Sequence, residues 1–154
     1  AGPYMCSRHV IVVRKDSSIK KLSDLNDRIV AAQVGTKPET LFLNKSNHLP
    51  KIKSLVTFKS IDEVISALRK GYVDAIAAHE GVLRQYTKDE ITQYRFLSES
   101  IYSAKLGVAF SKKGDKQIAD KLTKVLRKMV ADGTVSRIVE KDSMNGIQAV
   151  KDLE

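Results

Sequence analysis

Residues 28–34, 54–58 and 72–77 form runs rich in β-branched and small apolar side chains, and stretches of helical periodicity separate them. This alternation limits the fold more than any other feature of the chain. The first helical stretch follows Gly35 and Thr36. Pro38 stands in its first turn, Thr36 and Glu39 are at capping-box spacing, and Leu41, Phe42 and Leu43 supply apolar contacts. The second opens at Ser60, with Glu63 three residues on. Its Ile61, Val64, Ile65 and Leu68 fall on one face, and Gly71 ends it. Strand, helix, strand, helix, strand at this spacing predicts βαβ units and a mostly parallel sheet flanked by helices, an α/β fold.

An earlier strand is expected at residues 9–13, an uninterrupted apolar run after His9. Residues 80–87 read as a short helix, and residues 94–97 and 106–110 as two further strands. From Lys116 the pattern is helical: Ile118, Leu122, Val125, Leu126, Met129 and Val130 share one stripe, which Gly133 terminates. Thr134 is expected to cap a last helix bearing Val135, Ile138 and Val139, and the tail beyond Asp142 is weakly patterned.

Composition narrows the function classes. With 42% hydrophobic and 29% charged residues the chain has the balance of a globular domain. No stretch approaches the roughly 18–20 apolar residues of a membrane span. The amino-terminal residues lack the positive-then-apolar layout of an export signal, so any such signal is expected outside this chain. The net charge of +9 is spread without a basic run, Trp is absent and no nucleic-acid motif occurs, so a nucleic-acid partner is not expected. Cys6 is alone, which rules out an internal disulfide. His9, His48 and His79 follow no zinc-ligand spacing, and neither metal nor cofactor is expected.

Four segments in order carry a family resemblance. They are residues 10–19 followed by Leu22-Ser23-Asp24-Leu25, residues 29–36 ending in Gly35-Thr36, residues 67–75 with Gly71-Tyr72-Val73-Asp74-Ala75, and residues 106–115 followed by a helix and Asp132-Gly133-Thr134. Together they resemble the bacterial extracellular, or periplasmic, solute-binding proteins of family 3, the amino-acid-binding type. The resemblance implies two α/β lobes closing on a ligand. Residues 8–111 correspond to the second lobe and residues 112–154 to C-terminal helices returning toward the first, which is largely missing. The arginine that pairs with a ligand carboxylate in the family falls in that missing part. Weak binding by this chain alone is expected, with dimerisation or segment swapping through uncovered apolar surface.

The resemblance also names candidate ligand contacts. The turn Gly35-Thr36-Lys37 opens a helix whose free N–H groups suit an anion, although Lys37 replaces a small hydroxyl residue and Pro38 removes a donor. His79 stands where the family commonly has an acid for the ligand's ammonium, with Glu80 next to it. Gln33, near its strand end, is a further candidate, whereas Asp74 reads as structural. The lysine and histidine tilt the expected ligand toward an acidic or amine-free small polar metabolite. The function expected is reversible binding for an ABC-type uptake system, outside the cytoplasm, with a membrane permease as partner. A ligand-sensing domain of a membrane signalling protein is the alternative, and a small-acid dehydratase-like enzyme on the same fold is the second. No Ser/His/Asp or Cys/His layout and no phosphate loop favours catalysis.

Overall fold

The computed structural model describes residues 1–46, 48–141, 145–151 and 153. The chain divides into two compact units, one spanning Arg8–Tyr102 and the other joining Ala1–Ser7 to Ser103–Glu154. It passes from one to the other inside strand β1 (Met5–Arg14) and again inside β5 (Tyr94–Leu106).

Between these strands lie β2 (Ile29–Gln33), α1 (Lys37–Leu43), β3 (Ser54–Phe58), α2 (Ile61–Arg69), β4 (Ala75–His79) and α3 (Glu80–Thr87). The five strands form one sheet in the order β3-β2-β4-β1-β5. Strand β2 runs parallel to β3 and β4, as the βαβ pattern predicts, and β1 pairs antiparallel with β4. Successive side chains on a strand point to opposite faces. Val10 and Val12 therefore pack with Val64 and Leu68 of α2 and Ile76 of β4. Ile11 and Val13 pack on the other face with Leu41 and Phe42 of α1 and Ala75 and Ala77 of β4. All four residues of this β1 run are at 0% exposure, so the strand is apolar at every position because both of its faces are covered.

The end signals act unequally. Ser60 and Glu63 form a complete capping box on α2, with Glu63 N–H donating to Ser60 Oγ at 3.3 Å and Ser60 N–H to Glu63 Oε2 at 3.0 Å. The box expected at Thr36 does not form. Glu39 reaches one residue further, its Oε2 accepting from Gly35 N–H at 2.7 Å, and the Thr36 hydroxyl donates to Gln33 O at 2.6 Å. Gly35 makes this possible with a φ of +77°, a left-handed backbone that glycine adopts without strain.

Three boundaries differ from the sequence expectation. Strand β4 begins at Ala75 rather than Tyr72, because Asp74 is spent on the neighbouring strand start: its carboxylate accepts from Ile29 N–H at 2.8 Å and its own N–H donates to Ile29 O at 2.9 Å. Residues 94–97 and 106–110 are not separate strands. A single β5 continues through the polar residues between, whose positions on this edge strand are largely exposed, and it stops at Leu106. The short α6 (Gly146–Val150) was not legible in the tail, and residues 142–144 just before it lie outside the described residues.

The second unit holds α4 (Lys116–Ala131), α5 (Thr134–Lys141) and α6. Val135, Val139 and Ala149 form its small core with Met5, Met129 and Val130 against them. The amide of Thr134 donates to Asp132 Oδ1 at 2.9 Å, so Asp132 satisfies the start of α5 and Thr134 is its first helical residue. Gly146 is required where α6 meets α5, since a Cβ there would stand 2.4 Å from Ser136 O. The apolar stripe of α4 contains no buried residue, and Ile118 and Val125 are 54% and 53% exposed.

Replacing Asp74 by Ala leaves the Ile29 amide without its acceptor. Urea unfolding is expected to show a loss of about 1–3 kcal/mol.

Candidate ligand-binding site

Antiparallel register places His9 of β1 directly opposite His79 of β4. Their rings meet edge to face, centroids 5.4 Å apart and planes at 87°. Tyr102 of β5 flanks His9 at 5.8 Å, and Lys37, the first residue of α1, sets its Nζ 4.6 Å from the centre of the Tyr102 ring. Lys37, Tyr102, His9 and His79 thus form a continuous path of contacts inside the Arg8–Tyr102 unit. Lys37 and His79 are candidates from the sequence. His9 and Tyr102 are not, because a residue's partner on a neighbouring strand depends on register, which sequence spacing does not state.

The two histidines differ in hydrogen bonding. His79 is the N-cap of α3, and its Nδ1 accepts from Gly81 N–H at 3.1 Å. That bond assigns the neutral tautomer with the proton on Nε2. In His9, Nδ1 is buried and has no hydrogen-bond partner. Burial lowers the pKa of His9 from its ordinary value near 6.5, and the neighbouring His79 and Lys37 lower it further, since each disfavours a second positive charge.

The remaining candidates are engaged elsewhere. Glu80 is only 4% exposed. Its Oε1 accepts from Arg84 Nε and a terminal guanidinium nitrogen at 3.1 and 3.0 Å, and Arg8 Nε lies 3.7 Å from Oε2. Arg84 stacks over Phe96 at 4.3 Å, and Arg8 also donates to Ser98 O at 3.0 Å. The carboxylate of Glu80 is therefore neutralised internally instead of being offered to a ligand ammonium. Gln33 donates from Nε2 to Lys59 O at 3.0 Å. Gly35 and Thr36 shape the turn that presents Lys37, using the Gly35 amide and the Thr36 hydroxyl within it. A separate cavity of about 530 Å³ lies toward the far end of β1, lined by Arg14, Arg69 and Tyr94 among others. There Arg14 is committed to Leu68 O and Val73 O at 2.8 and 2.9 Å. Among the described residues no His, Cys, Asp or Glu cluster of metal-site size occurs, and no helix is long and apolar enough to cross a membrane.

A family described as ABC transporter, phosphonate, periplasmic substrate-binding protein matches residues 5–154. The chain belongs to this family. Among curated relatives of this substrate-binding family member, the arginine-binding extracellular protein ArtP of Bacillus subtilis is 25% identical, over 90% of this chain and 53% of its own length. The glutamate-binding protein GluB of Corynebacterium efficiens is 25% identical, over 98% of this chain and 52% of its own length. The chain spans about half the length of these relatives. Among solved structures, an ancestral cationic amino acid solute-binding protein is similar with a TM-score of 0.70 and 29% identity, over 92% of this chain and 60% of that one. The sequence resemblance to amino-acid-type solute-binding proteins and the α/β fold it implies are both met.

Two outcomes are expected from this geometry. Glu80→Ala leaves buried Arg8 uncompensated and is expected to cost about 3–5 kcal/mol in chemical unfolding. Because the folded pKa of His9 lies below its unfolded value, the unfolded chain binds more protons between the two. The His9 contribution to stability should therefore be complete above pH 6.5 and decline as pH falls through that value toward the folded pKa. Melting temperatures measured from pH 8 to pH 5 should fall less in His9→Gln than in the parent.

Proposed function

We propose that this chain supplies the second lobe of the substrate-binding component of an ABC-type uptake system, reversibly holding an amino acid or related small polar metabolite through an acidic group. The observation that carries this reading is the gathering of Lys37, His9 and His79 around Tyr102 while the neighbouring carboxylate of Glu80 is tied to Arg8 and Arg84. Such a face attracts an anionic group and offers little to an ammonium or guanidinium. Family membership supports a binding role, and the relatives are named as binding proteins rather than enzymes. In this reading Lys37 supplies fixed charge and His79 a neutral donor. Gly35 and Thr36 hold the turn in place, Gln33 anchors the strand end, and Glu80 is held by Arg8 and Arg84 on the far side of the sheet. The module works outside the cytoplasm without turning its ligand over, and a membrane permease receives the cargo. Exposed Ile118 and Val125 on α4 favour cover by the other lobe or by a second copy of this chain.

A thermal-shift screen tests the reading, run on this chain and on the complete protein with both lobes. The panel holds L-glutamate, L-aspartate, methylphosphonate, L-glutamine and L-arginine. A ligand that binds only the native state stabilises it by about 2.7 kcal/mol at a hundred times its Kd. Acidic compounds are expected to raise the melting temperature and Lys37→Ala to remove most of the shift. L-arginine as the sole hit would refute the acidic assignment, and no shift across the panel would count against small-metabolite binding.

A further inference from the structure

The charged and titratable groups on this face are unevenly supplied with partners. His9 is met by His79 from β4, by Tyr102 from β5 and by the Lys37 side chain from α1. The nearby charged residues Arg8, Glu80 and Arg84 are tied to one another. Among the described residues, no carboxylate is among the groups that meet His9. The Nδ1 of His79 is already committed as the acceptor that caps α3. His9 has no such commitment, since its buried Nδ1 has no hydrogen-bond partner. Of the two rings, His9 is the one whose Nδ1 can take a proton without giving up a hydrogen bond, once a negative charge offsets Lys37.

Resting on the reading that this face holds the ligand, we propose that His9 is a specificity-determining residue, which takes up one proton as an anionic group binds beside Lys37 and His79. The balance is simple: a neutral imidazole plus a proton from solvent becomes imidazolium, paired with the ligand's acid group. Ligand charge and proton charge are thereby coupled. An anion raises the affinity of His9 for its proton, and by linkage the proton raises the affinity for the anion. A cationic ligand meets the opposite coupling and is rejected more strongly as His9 becomes charged. Lowering pH should then tighten the hold on an acidic ligand and weaken the hold on a basic one.

The test uses L-glutamate and sulfate, neither of which titrates between about pH 5.5 and 7.5. Histidine ring resonances of the chain are followed by NMR through a pH titration with and without each anion, and His48, bonded to Ile101 O, serves as the internal control. The expected result is that the His9 midpoint moves to higher pH with either anion, and also in Lys37→Met without any anion, while His48 stays in place. In calorimetry on the complete protein, affinity for L-glutamate should rise by up to about tenfold per pH unit of acidification across the His9 transition, one proton being taken up. This dependence should vanish in His9→Gln while folding is retained. A His9 midpoint that neither anion moves would overturn the proposal. So would L-glutamate binding with the same pH dependence in His9→Gln, and that second result would leave the uptake reading intact. Sulfate moving His9 while no amino acid binds would uphold the proton coupling and defeat the amino-acid reading.

Discussion

The pairing of β1 with β4, both buried on their two faces, is the constraint on which the fold and the candidate site depend. Val10, Ile11, Val12 and Val13 feed two cores at once, one under α2 and one under α1, and Ala75, Ile76, Ala77 and Ala78 do the same from the neighbouring strand. Register in such a pair is strongly fixed, because a slip of one residue would exchange the contents of both cores. His9 and His79 stand immediately beyond the apolar runs, so the packing that fixes the register also sets the two rings against each other.

The same alternation separates charge across the sheet. Arg8 precedes His9 on β1 and so faces the opposite way, and Glu80, the first residue of α3, meets Arg8 there. The opposite face receives a largely buried network in which one carboxylate, Glu80, is shared by the guanidiniums of Arg8 and Arg84, the latter over Phe96. The face with the histidines receives Lys37 and Tyr102 and keeps its positive character. One carboxylate, placed one residue further along than the position expected to meet a ligand amine, is thus diverted into structure, and the electrostatics of the candidate site follow from that diversion.

Much of the fold was legible because its signals are local. The β-branched runs, the capping box at Ser60 and Glu63, the stop at Gly71 and the stripe of α4 all depend on residues a few positions apart. The misses fall where a distant partner overrides the local pattern. Asp74 leaves the start of β4 to hold the Ile29 amide. Ser98, Glu99, Ser100, Ser103 and Lys105 look like a break in the sequence, yet they remain strand because β5 is an edge, whose exposed positions tolerate polar side chains. The Thr36–Glu39 spacing promised a capping box, but Glu39 closed on Gly35 instead.

Of the candidate site, the sequence marked Lys37 and His79, and it pointed toward an acidic ligand from those two residues. By itself it determined the α/β class, the family and the turn that presents Lys37, since each rests on short-range spacing and residue type. Only the tertiary structure decided that His9 and Tyr102 join them and that Glu80 is withdrawn. The physical reason is that cross-strand register and the sharing of buried charge are settled between residues far apart in the chain, where periodicity carries no information.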